Sequence, residues 1–238
     1  MSRIIWKPTA ISPEIRQRES RLWRMIPVDR LHVVETLVEA QVLEEILSEY
    51  EATRPGSCHP LIAEAFRVRP LADSATRFRP VGAPGVFYGA GAVKTAAAEV
   101  AYWRHRFATR STGHIEHLQS WHGVFHLDFA ADSVDLREAP FNVAASDWLH
   151  PTEYTATHAF AAAAREAGVV CILYQSVRQP TPGMCAAVFS PELLAGKTPI
   201  LSRRSWELTI TLREAIWRQI PFGESFAFPL DYLARSAE

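Results

Sequence analysis

Lysine is nearly missing from this chain. Only Lys7, Lys94 and Lys197 occur in 238 residues, so arginine carries almost all of the positive charge. The arginine fork suits bidentate contacts to phosphate, although a compositional bias of the genome also accounts for the excess. The formal net charge is −1 at pH 7, with no basic excess and no block of like charge. That argues against a nucleic-acid-coating surface and against a charged disordered tail. Three cysteines, Cys58, Cys171 and Cys185, cannot build a disulfide framework. Cys171 and Cys185 lie in apolar runs and are expected as packed thiols. No apolar run approaches the ~18 residues of a membrane span. The opening MSRIIWKPTA lacks a basic region followed by an apolar core. A reduced, cytoplasmic setting is therefore expected, with no membrane partner. Internal repeats and low-complexity tracts are also missing.

What is present is ample core material, 48% hydrophobic and 11% aromatic. Residues 1–64 are expected to form an N-terminal arm (1–28) and a helix packed on the main domain, which occupies 65–238. The helix starts at Asp29 and runs to about Tyr50, with Val33, Val34, Leu37, Val38, Val42, Ile46 and Leu47 at helical spacing. Pro55, Gly56 and Pro60 mark a loop, HPLIAEAF reads as a short helix, and FRVRP reads as extended because proline disfavours helix before it. GVFYGA reads as a strand and Thr95 as the N-cap of a helix to about Ala108. Further strands are expected at 122–129, 169–174, 184–189 and 206–212. An alanine-rich helix at 152–167 should be stopped by Gly168. Residues 132–150 read as irregular. Short returns such as 169–189 favour antiparallel pairing, so the fold class is α+β, mixed α/β, and not a doubly wound parallel sheet.

The informative stretch is Arg77 to Arg106, RFRPVGAPGVFYGAGAVKTAAAEVAYWRHR. Gly82, Gly85 and Gly89 match neither G-x-G-x-x-G nor a P-loop, which excludes the two common nucleotide loops. What remains is a glycine-rich turn that lets a ligand approach the backbone. Arg77 and Arg79 precede the turn, Tyr88 sits on the strand, and Glu99 follows one turn into the helix among small alanines. Taken singly, each has a plain structural reading: a surface charge, a half-buried strand aromatic, and an acid favoured by the helix dipole.

Four elements in order resemble the RES-domain family, named for its arginine, glutamate and serine. They are Arg77-Phe78, the turn PVGAPG with the strand VFYGA, TAAAEVAYWR, and Ser176 in YQSVR before an apolar strand ending at Phe189. The resemblance covers about 65–190. It implies an ADP-ribosyltransferase-like split sheet flanked by helices. It also implies a bacterial toxin of a toxin–antitoxin pair, neutralised by an Xre-like helix-turn-helix antitoxin, that cleaves NAD between nicotinamide and ribose. NAD is then substrate and no cofactor or metal is expected. Within that reading Glu99 stabilises the developing positive ribose. Arg77, with Arg79 in support, grips the pyrophosphate. Tyr88 offers a ring face and a hydroxyl, and Ser176 a hydrogen bond to the ribose or the nicotinamide amide. Arg178 is a further phosphate candidate, with a surface role as the alternative. A turn one residue longer than the common family form leaves Arg77 and Arg79 in competition.

Two other readings stay open: a toxin that ADP-ribosylates protein, and a non-catalytic module binding a nucleotide or a partner. A second copy of the chain, in a homodimer, is a separate partner expectation. His105, His114, His117, His122 and His126 are close in sequence but fit no metal-ligand spacing. Tyr102, Trp103, Phe107, Trp206 and Trp217 read as core. Arg203-Arg204 is too small a basic pair to indicate DNA binding.

Overall fold

The computed structural model describes residues 4–28, 58–66, 75–110, 118–230 and 232. The expected helix at 29–50, most of FRVRP, His114 and His117 lie outside them. Two long strands form the spine. β1 (Arg16–Pro27) pairs antiparallel with β3 (Leu118–Asp135) along its whole length, from Arg16 opposite Ser133 to Pro27 opposite His122. The expected arm at 1–28 is thus, over twelve residues, a strand inside the sheet. Its first half is polar and solvated even though its backbone is paired, which hides the apolar alternation that marks a strand. Arg21 and Asp128 face each other across the pair in a bidentate contact at 2.7 and 2.8 Å.

The other edge of β3 is shared. β7 (Ser205–Ile210) pairs with its first residues, β6 (Ile200–Leu201) with its middle, and β4 (Cys171–Gln175) runs parallel to its last three. From β4 the pairings continue through β5 (Met184–Val188) to β2 (Phe87–Ala90), whose Ala90 returns to Trp23 on β1. Five strands therefore close a ring, β1–β3–β4–β5–β2. At the far end β7, β8 (Glu214–Ile220) and β9 (Ser225–Pro229) form a meander. The nine strands make one mixed sheet in which the two groups hang from opposite ends of β3. The α+β expectation holds, and so do the antiparallel return of β4 and β5 and the strands at 87–90 and 205–210. The residues expected to be irregular at 132–150 include the end of β3 and a short helix, α4 (Ala145–Trp148).

Alternation along the strands feeds two cores. One gathers Leu22, Phe87, Phe125, Leu127, Leu173 and Val188, with contributions from all five ring strands. It is completed by α2 (Pro60–Phe66) through Ile62. The opposite faces pack under α3 (Val93–Arg110) and α5 (Thr155–Glu166), and α1 (Pro8–Ile11) adds Ile11. Ala96, Ala97, Ala98 and Ala101 are the buried face of α3, small enough to seat the helix close on the sheet. The Trp217 indole donates to Ala97 O at 3.1 Å and ties β8 to that helix. α5 ends where Gly168, at φ +88°, sends its amide back to Arg165 O.

Candidate functional site

A cavity of about 250 Å³ opens where α3 crosses β1 and β2. Its wall includes Arg77, Tyr88, Glu99 and Arg178, the residues singled out in the sequence, together with Tyr154, Trp103 and Tyr174. Arg79 and Ser176 are not on that wall.

Arg77 sits at the tip of a tight turn closed by reciprocal amide–carbonyl bonds between Thr76 and Arg79 at 2.9 and 3.1 Å. Three side chains fix the turn. The Tyr88 hydroxyl accepts from Phe78 N at 3.1 Å and lies 2.8 Å from Thr76 Oγ1. From α5, Thr157 donates to Arg77 O, and His158 Nε2 lies 2.8 Å from Thr76 O. The Tyr88 hydroxyl is thus spent on the turn, and only its ring is left for a ligand. Burial raises its pKa, so it stays protonated. Arg77 is 7% exposed, which sets aside the surface-charge reading. Its Nη1 donates to Trp148 O at 2.6 Å and His150 O at 3.0 Å. Both bonds leave from one nitrogen, and among the described residues Nε and Nη2 remain for a ligand.

Arg178 is 2% exposed and belongs to the site, not to the surface. Its guanidinium lies 3.5 Å from the Tyr102 ring centroid and reaches the Tyr154 hydroxyl at 3.3 Å. The same Tyr154 ring lies under Arg77 at 5.2 Å. One tyrosine therefore spaces two buried arginines on one wall. Arg24, on β1, joins them. Among the described residues this wall carries three guanidiniums and one carboxylate, a set suited to an anionic ligand.

Glu99 projects from α3 at a half-buried position. Its Oε1 accepts from Ser176 Oγ at 2.7 Å, with Cys185 Sγ 3.9 Å away. Oε2 carries no hydrogen bond among the described residues and is the oxygen offered to a ligand. Ser176 follows β4, is 2% exposed, and accepts from Arg178 N at 3.2 Å. The Ser176 hydroxyl, expected to meet the ribose or the nicotinamide amide, has Glu99 as its hydrogen-bond acceptor here. Its place just beyond a buried strand brings the hydroxyl to Glu99 on α3. Burial, and secondarily the Glu99 charge, pushes the Cys185 thiol well up. It is accordingly no nucleophile at neutral pH. Tyr174 is pushed well up by burial as well.

Other expectations change too. Thr95 is no N-cap: α3 begins at Val93, and Thr95 Oγ1 donates to Gln179 Oε1 at 2.6 Å in the interior. Of the three glycines, Gly89 lines the cavity, Gly85 lies against the backbone of α2, and Gly82 supplies φ +76°. His122 packs on Trp217 and His126 on Trp23. Among the described residues no three His, Cys, Asp or Glu side chains gather as a metal site. Trp103 lines the cavity and is 38% exposed, so it is not simply core.

The sequence reading missed Trp23, Arg24, Met25, Tyr154 and Tyr174. The first three come from the hidden strand. Tyr154 gives no local signal, because its role depends on two arginines far away in the chain.

A comparison with curated proteins finds no match. Among solved structures, the chain is similar to one in the crystal structure of the M. tuberculosis MbcT–MbcA toxin–antitoxin complex. That similarity covers 86% of this chain and 91% of the other, at 12% identity and a TM-score of 0.49, too loose to speak to activity. The sequence pattern of the RES domain matches residues 48–211, more than half of the chain, and takes in Arg77, Tyr88, Glu99 and Ser176. The protein belongs to the RES-domain family.

Proposed function

We propose that the protein is a toxin that consumes NAD by breaking the bond between nicotinamide and ribose. The observation that supports this reading best is the pairing on one wall of Glu99, whose Oε2 has no hydrogen bond among the described residues, with the anchored guanidinium of Arg77. The glycosidic electron pair leaves with the nicotinamide nitrogen, which departs neutral, and positive charge develops on the ribose. A carboxylate beside that sugar stabilises the charge, and a fixed carboxylate needs no reorganisation to do so. Water or phosphate then adds at the vacated carbon and releases a proton. Arg77 and Arg178 hold the pyrophosphate, with Tyr154 keeping them apart. The resemblance to RES toxins supplies the toxin half of the reading and its Xre-like antitoxin.

The test is to incubate the protein with NAD and phosphate and identify the products. Free nicotinamide with ADP-ribose, or with its phosphorylated form, is expected. Glu99→Ala should slow NAD loss by about a hundredfold or more while the circular dichroism spectrum is kept. Loss of NAD at the parent rate in that variant refutes the assignment. Label transferred from NAD onto protein would instead favour an ADP-ribosyltransferase. Unchanged NAD after hours would favour a non-catalytic binding module.

A further inference from the structure

The cavity at Glu99 is small for a dinucleotide. Sites for drug-sized ligands run from about 300 to 1,000 Å³, and this one is about 250 Å³. A second cavity of about 420 Å³ lies beside it and shares Trp23 as a wall. Val93 at the start of α3, Val124 on β3 and Trp206 on β7 form its apolar lining. Ser202, Arg204, Gln219 and Glu224 bring polar groups to it. We propose that this second cavity is the subsite for the adenosine half of the dinucleotide, which lies across Trp23 with its nicotinamide ribose at Glu99. The inference rests on the NAD reading above and deepens it.

The side chains match a neutral purine ribonucleoside better than an anion. Trp23 is half-buried and lies 4.5 Å from the His126 ring, which holds the indole as a platform for a planar base. Trp206 is fixed from behind by Phe226, stacked at 4.9 Å. Arg204 Nη1 donates to Gln219 Oε1 at 3.0 Å, so the Gln219 amide presents its Nε2 hydrogens as donors. The Gln219 backbone N donates to the Glu224 backbone O at 3.0 Å, which joins the two residues across the turn, and the Glu224 side chain lines the cavity as well. A carboxylate of this kind accepts from a ribose diol, as acidic residues do in other dinucleotide sites. Donors and a carboxylate beside an indole are the groups that read a base and its sugar.

Trp23, Gln219, Gly223 and Glu224 all fall outside residues 48–211. Four of its nine lining residues thus come from segments that flank the family match, and the other five, Val93, Val124, Ser202, Arg204 and Trp206, lie within it.

The experiment uses the full chain and two probes, AMP and nicotinamide mononucleotide, titrated by calorimetry. Both should bind wild-type protein at once, neither displacing the other. Arg204→Ala and Gln219→Ala, both at accessible positions, should weaken AMP about tenfold and leave nicotinamide mononucleotide unchanged. In turnover they should raise the KM for NAD with kcat unaltered. Displacement of one mononucleotide by the other overturns the subsite. So does an NAD-consuming wild type whose AMP affinity survives both substitutions. A wild type that neither binds nor consumes NAD overturns the functional reading itself, and the subsite with it.

Discussion

The Ser176 hydroxyl donates to Glu99 Oε1 at 2.7 Å from a position that does not line the cavity. Two of the three residues that name the family are thus joined, one on the cavity wall and the other hydrogen-bonded to it. Hydrogen bonds to charged groups are worth about 1.5–3 kcal/mol. Ser176→Ala should therefore lower kcat for NAD cleavage by about tenfold or more while KM stays near the parent value. A rise in KM alone would mean that the serine contacts substrate after all.

Tyr88→Phe removes the acceptor for Phe78 N and the partner of Thr76 Oγ1. An amide left unsatisfied in a part-buried site costs about 1–3 kcal/mol. Thermal unfolding should shift to lower temperature, and KM for NAD should rise as the Arg77 turn loosens. Full stability together with lost turnover would instead assign the hydroxyl to the reaction.

Arg77→Lys keeps the charge but replaces a fork by a point. It also gives up the paired contacts to Trp148 O and His150 O. KM for NAD should rise about tenfold or more. Arg79→Ala should leave KM unchanged, because Arg79 is not part of the cavity wall. Measuring both side by side decides which arginine grips the phosphates.

Burial pushes the Cys171 thiol up to about 12 from an ordinary 9.0. Cys185 moves in the same direction. A thiol whose pKa is raised by folding favours the folded state below the unfolded value. That contribution is lost as pH climbs from 9 toward 12, because the unfolded chain ionises first. Stability measured by denaturant unfolding should thus fall over that window, and less steeply in Cys171→Ala. At pH 8 native protein should label at Cys58, with Cys171 and Cys185 reacting only after unfolding.

The sequence alone determined the order of the chemistry. Arg77, Tyr88 and Glu99 lie within one turn–strand–helix unit, so short-range patterning was enough to find them and to exclude the common phosphate loops. Short apolar runs bounded by turn residues likewise made β2, β4, β5 and β7 legible, and Gly168 marked the end of α5. What local pattern could not show was decided by long-range pairing. β1 hides because its polar half is paired yet solvated, so it lacks the alternation that burial on one face imposes. Its closure onto β2 and β3 brings Trp23, Arg24 and Met25 to the cavity. Tyr154 acquires a role only when α5 carries it between Arg77 and Arg178. The same long-range geometry brought the Ser176 hydroxyl to Glu99 and the Tyr88 hydroxyl to the turn. A hydroxyl's partner is whichever polar group the packed backbone leaves within about 3 Å, and that distance is set by the closed sheet, not by the spacing of residues along the chain.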